Sequence, residues 1–185
     1  MSADRMPLPA ELTPAQKEAA ARLAGGPRGA LFGPFVPLLR SPELMTRLQL
    51  VGEYLRFGSV LDDDLVELVV LIVARQWDQD FEYGFHQPLA LKAGLPPSVV
   101  EAVARAEKPA GRPEIVVIWD LLDEVHRTRQ VGDETYGKAI DLLGEERVVE
   151  VVGTAGYYTT LAMTMNVART PPPEDAPRLP ARECA

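Results

Sequence analysis

Between Leu65 and Ala74 the chain reads LVELVVLIVA, and Glu67 is the only residue that interrupts the apolar run. A stretch of this length without alternation of polar and apolar positions predicts a helix buried on nearly every side. Asp62 or Asp63 is placed to cap it, where a carboxylate meets the positive end of the helix dipole. Such a rod belongs at the centre of a fold, with the remaining segments packed around it. The acid inside it needs a partner or must give up its charge, because an unpaired buried carboxylate is costly.

The flanking segments extend the helical pattern. After Arg75-Gln76-Trp77, Asp78 or Asp80 predicts a second N-cap, and Gly94 a C-terminal stop, for a helix that holds Glu82 and His86. Pro88 lies inside that helix and predicts a bend just beyond His86, since it has no N–H for the Gly84 carbonyl. Upstream, helices are predicted over 15–23 and from Pro42 to about Gly58, the second with Leu44, Leu48, Val51 and Leu55 on its apolar face. The proline-broken segment ALFGPFVPLLRSPEL between them suits an irregular, buried connection. Downstream, apolar periodicity predicts helices over 97–108, 114–128, 134–143 and 145–168. No segment alternates in the manner of a strand with hairpin turns, so the fold class is all-α, a compact multi-helix bundle. Residues 1–14 read as a flexible N-terminus, 15–170 as one domain, and 171–185 as a proline-rich tail that is extended or disordered.

Charge and cysteine content narrow the function. The net charge is −8 and the basic residues form no cluster, which argues against a nucleic acid or an anionic membrane surface as partner. No apolar stretch approaches the roughly 20 residues that span a bilayer, and the N-terminus has no apolar signal core, so a cytoplasmic location is expected. Cys184 is the only cysteine, which excludes an intrachain disulfide, a Cys-x-x-Cys redox pair and a cysteine zinc site.

What remains is acid–base chemistry on a small molecule. Glu82 and His86 are four residues apart and are neighbours over one helical turn. Glu67 and Arg75 belong to the preceding helix and join them only if the break after Trp77 folds the two helices together. In that arrangement His86 donates or removes a proton, Glu82 sets its tautomer and charge, and the desolvated Glu67 carries a raised pKa. Arg75 offers a bidentate contact to a substrate carboxylate, and Trp77 and Tyr83 are candidate walls of the substrate site. The same residues also admit a structural reading: a surface Glu/His pair, an inward-facing structural acid, an arginine paired with the helix dipole, and core aromatics. Neither Glu-x-x-His pairs nor His-Glu-x-x-His occurs, so no metal and no cofactor is predicted.

An acid in a buried helix, a short break, and then Glu82-Tyr83-Gly84-Phe85-His86 together resemble the carboxymuconolactone decarboxylase family, which includes the alkylhydroperoxidase D (AhpD) branch. The resemblance extends upstream through GPRGALFGPFVPLLRSPEL and downstream from His126 to Pro173. It implies an AhpD-like helical domain, assembled as a homo-oligomeric trimer or hexamer, with His86 as the active-site histidine and Glu67 as the relay glutamate. Gln79 and Glu82 occupy the positions of the redox cysteines of the peroxidase branch, which excludes thiol peroxide reduction and places Gln79 at the substrate site. The implied activity is a cofactor-free decarboxylation or proton transfer on a small carboxylated lactone or related carbonyl compound. A cofactor-free isomerase or hydrolase of the same fold, or a non-catalytic oligomeric binding protein, are the alternatives.

Overall fold

The computed structural model describes residues 4–182, so Cys184 lies outside the described residues. Its helices are α1 (Pro14–Gly25), α2 (Phe35–Leu38), α3 (Pro42–Phe57), α4 (Asp63–Gln76), α5 (Asp80–Lys92), α6 (Pro97–Ala104), α7 (Pro113–Thr128) and α8 (Asp133–Ala168). No strand occurs among the described residues, and the chain is all-α.

The apolar run forms α4, and every residue from Leu65 to Arg75 is buried. Each fully buried Leu, Ile or Val side chain contributes roughly 1.5–3 kcal/mol relative to exposure, which makes α4 the dominant packing element. It lies against α5, α6, α7 and α8. Leu65, Leu68, Val69 and Ile72 meet α6 and α7 in one half of the core. Val70 and Val73 face the other half, built by α1, α2, α3 and the tyrosines Tyr157 and Tyr158 of α8.

Three residues turn the chain from α4 into α5. Asp78 takes a left-handed conformation (φ 48°), which Asp tolerates better than most side chains. Gln79, rather than either neighbouring aspartate, is the N-cap of α5: its side-chain oxygen accepts the Phe81 N–H at 2.8 Å, and its amide donates to Asn166 Oδ1 at 2.8 Å. Gly94 (φ 99°) follows the last turn, as its position predicted. The tight link packs α5 back along α4, which is the tertiary condition the site requires.

Two departures from the pattern-based reading have local causes. The buried stripe of α3 is Met45, Gln49, Gly52 and Leu55, whereas Leu44 and Val51 are about half exposed, so the helix is rotated from the face its leucines suggested. The segment before it is not wholly irregular, because α2 supplies one helical turn with Phe35 buried. The two helices expected after Gly132 are both present within α8, and the break between them falls at Gly144, whose φ of 78° and ψ of 163° a glycine adopts without strain.

The proline-rich tail is not detached. It runs across the α4–α5 link: the Leu179 N–H donates to Asp80 Oδ1 at 3.0 Å, Arg75 Nη1 donates to the Pro180 carbonyl at 2.8 Å, and Arg182 Nε pairs with Asp78 Oδ2 at 2.9 Å. Ala176 and Pro177 pass so close to Gly84 that an added Cβ there would stand 2.7 Å from the Ala176 methyl.

Candidate active site

The folding of α5 against α4 brings Glu67 to His86. Nδ1 of His86 lies 2.7 Å from Glu67 Oε2, and both side chains are buried. With the Nδ1 proton directed at the carboxylate, Nε2 is the nitrogen that carries the lone pair. Burial lowers the His86 pKa from its ordinary value, and the Glu67 hydrogen bond only partly opposes this. The ring is neutral and basic at neutral pH.

Glu82, one helical turn before His86, is not the residue that orients the imidazole. Neither of its carboxyl oxygens has a hydrogen-bond partner, and burial pushes its pKa well above the usual carboxylate range. Both the burial and the missing partners favour its protonated form. The roles that spacing assigned to the two glutamates are exchanged: helix neighbours need not touch, whereas the hairpin delivers a carboxylate from the adjacent rod.

Glu82 and His86 line a cavity of about 30 Å³, together with Arg28, Arg56, Phe32, Phe81, Phe85 and Tyr158 among others. That volume admits two or three water molecules, at about 10–15 Å³ each. The Phe32 and Phe85 rings lie 5.2 Å apart, and the Tyr158 ring meets His86 edge-on at 5.2 Å. Behind the imidazole, Glu67 and Arg56 also border an open groove of about 520 Å³ with Phe57, Leu89 and Lys92. The Glu67–His86 pair thus stands between the inner cavity and a surface groove.

Two arginines that spacing did not single out supply the positive charge. Arg56 approaches Glu67 Oε1 at 3.9 Å and lies over the rings of Phe57 and Phe85, each 5.7 Å from the guanidinium carbon. It continues the buried stripe of α3 through Met45, Gln49 and Gly52, so a charged residue in register with buried positions was the available signal. The turn of chain after α3 is fixed by Glu150 of α8, which accepts from the Tyr54 and Ser59 hydroxyls and from the Val60 N–H at 2.9 Å. Arg28, in the loop after α1, lies over the Phe35 ring at 5.0 Å and donates to the Tyr157 hydroxyl at 3.4 Å.

The residues expected to bind substrate are elsewhere. Arg75 is buried, but its guanidinium is engaged by the Ala104 and Pro180 carbonyls and by Asp78, so it anchors the tail instead of reaching the cavity. Its place in the last turn of α4 points it toward the end of α6. Trp77 donates to Thr159 Oγ1 at 3.3 Å, Gln79 caps α5, and Tyr83 belongs to the core. None of the four lines the cavity. Among the described residues no cluster of three or more His, Cys, Asp or Glu side chains has the arrangement of a metal site.

With this geometry in hand, comparison with solved structures is informative. A protein of unknown function from Agrobacterium tumefaciens, described as a candidate antioxidant defence protein AhpD, superposes with a TM-score of 0.64, covering 75% of this chain and 96% of that one. The chain has an AhpD-like helical fold. Sequence identity over the match is 13%, so the likeness is one of fold alone. No family model and no curated protein matches the sequence. No described helix is long and apolar enough to cross a membrane.

Proposed function

We propose that this AhpD-like chain is a cofactor-free proton-transfer enzyme acting on a small carboxylated lactone or related carbonyl compound, with decarboxylation as the leading reaction. The observation that carries the reading is the buried Glu67–His86 hydrogen bond beside a cavity that is also lined by Glu82, a buried carboxyl group without a hydrogen-bond partner. A base and an acid of matched protonation state, held apart by different environments, are what proton transfer at neutral pH requires. Having Cys184 as its only cysteine, the chain cannot perform the dithiol chemistry of the peroxidase branch.

In this mechanism the carboxylate on the γ-carbon of an unsaturated lactone leaves as CO₂. The electron pair of the broken C–C bond passes into the ring and the lactone carbonyl as a dienolate. Glu82 gives its proton to carbon and becomes a carboxylate, and solvent restores it as product leaves. Arg28 and Arg56 stabilise the negative charge that develops in the cavity. His86 accepts and passes on protons at Nε2, and Glu67 is its positioning residue.

The small volume favours a second reading, a non-catalytic oligomeric binding protein. Catalysis requires the cavity to widen, since pockets for small ligands are typically about 300–1,000 Å³. Self-association is part of either reading: Leu50, Tyr54 and Phe57 on α3 and Val149 and Val152 on α8 are all more than half exposed. Chelator-treated protein incubated with γ-carboxylated unsaturated lactones in D₂O separates the possibilities by NMR. Release of CO₂ with deuterium on a ring carbon supports the decarboxylase; a rearranged or ring-opened product that keeps its carboxylate supports an isomerase or hydrolase. No reaction with any member of the panel supports the binding protein.

A further inference from the structure

The charges around the cavity do not cancel, and the imbalance specifies a ligand. Arg56 faces Glu67, so that cation is matched within the wall. Arg28 has no carboxylate within 4.0 Å among the described residues. Its only hydrogen bond is the long contact to the neutral Tyr157 hydroxyl, and its buried Nε has no partner. Glu82, the remaining acid of the wall, is buried with neither carboxyl oxygen partnered, which disfavours its charged form. Arg28 is partly buried, and an anion arriving with the ligand would be its first charged partner.

Arg28 is placed there deliberately by packing. Gly52 of α3 leaves a space that the Tyr157 hydroxyl and one Arg28 nitrogen fill, and a Cβ at that position would stand 2.1 Å from the first and 2.6 Å from the second. The Phe35 ring supports the other face of the guanidinium. Phe32, Phe81 and Phe85 add flat apolar surfaces to the wall.

We propose that the site, once widened beyond its resting volume of about 30 Å³, takes a flat, unsaturated ring bearing a single carboxylate, that Arg28 receives that carboxylate, and that a dicarboxylate of the same shape is rejected. This rests on the proposed function only in treating the cavity as the ligand site. One carboxylate neutralises one free guanidinium, and a second would be buried without a partner, with Glu82 close by as a further acid. Arg28 is thereby the specificity-determining residue, and Tyr157 and Gly52 position it.

Binding of 2-furoate, 2-furamide and 2,5-furandicarboxylate to the full chain, followed by titration calorimetry at pH 7, tests the proposal without requiring turnover. The expected result is that 2-furoate binds at least about tenfold more tightly than the amide or the dicarboxylate. Arg28→Gln should bring 2-furoate to the level of 2-furamide while leaving 2-furamide within about twofold of wild type, which also shows that the pocket is intact. Gly52→Ala should weaken 2-furoate selectively by displacing the guanidinium. A preference for 2-furoate that survives Arg28→Gln, a dicarboxylate that binds as tightly as the monoacid, or failure of all three probes to bind overturns it. Selective 2-furoate binding through Arg28 without CO₂ release from any lactone would remove the decarboxylase reading and leave this one standing; turnover of a dicarboxylated lactone would do the reverse.

Discussion

Glu67 Oε2 accepts a 2.7 Å hydrogen bond from Nδ1 of His86 across two antiparallel helices, and no other carboxylate touches the ring. Glu67 raises the affinity of the imidazole for its proton while burial lowers it. Glu67→Gln removes the charge but keeps a group that can still accept the bond. The titration of His86, followed by ¹H–¹⁵N NMR, should then move to lower pH, and its Nδ1–H tautomer should lose its dominance. An unchanged titration would show that Glu67 does not govern the ring.

Glu82 makes stability depend on pH in a defined direction. Its pKa is raised in the folded chain above the ordinary 4.5, so its contribution to stability is complete below that value and is lost as pH rises toward the folded pKa. His86, lowered from 6.5, acts in the opposite sense, its contribution present above that value and lost as pH falls. Glu82→Gln removes only the first effect. Thermal unfolding should therefore show the variant gaining on wild type between pH 5 and pH 8, by about 2–4 °C for each kcal/mol relieved, with the gain absent at pH 4. Parallel curves across that range would contradict a buried, unpartnered acid.

Gly84 admits the tail. Gly84→Ala sets a methyl 2.7 Å from Ala176 and 2.8 Å from the Pro177 carbonyl, and overpacking of this kind costs about 1–3 kcal/mol unless the tail lifts away. The Leu179 amide, which donates to Asp80, should lose protection from hydrogen exchange in this variant while amides of α4 keep theirs. Equal protection in both proteins would mean that the close approach is not maintained in solution.

The central rod, the break after Trp77 and the stop at Gly94 were legible because each rests on a local rule: an unbroken apolar run, a polar turn, a glycine after the last turn. The convergence of Glu67 and His86 followed once the break was taken as a hairpin. Which glutamate holds the imidazole was not legible from spacing, since it depends on how two helices are rotated against each other. For the same reason the face of α3 was misjudged: Leu44 and Val51 promised burial, but the stripe through Met45, Gln49 and Gly52 is the one that packs, and Arg56 follows it. Arg75 looked like an anion receptor because its charge is visible in the sequence, whereas its partners, the carbonyls of Ala104 and Pro180, lie 29 and 105 residues away. The tail read as extended or disordered because prolines cannot continue a helix, and where it docks was not legible, since an extended segment can lie on any surface that meets its backbone groups.

The account stands on acid–base chemistry at His86 beside Glu67 and Glu82. Its most direct test is CO₂ release from γ-carboxylated unsaturated lactones, measured side by side for the wild-type chain and His86→Ala at saturating substrate. The account predicts release by the wild type and a fall of about 10²-fold or more in the variant, with the fold intact by circular dichroism. Release that proceeds equally well without the imidazole, or a wild-type chain that liberates no CO₂, would contradict it.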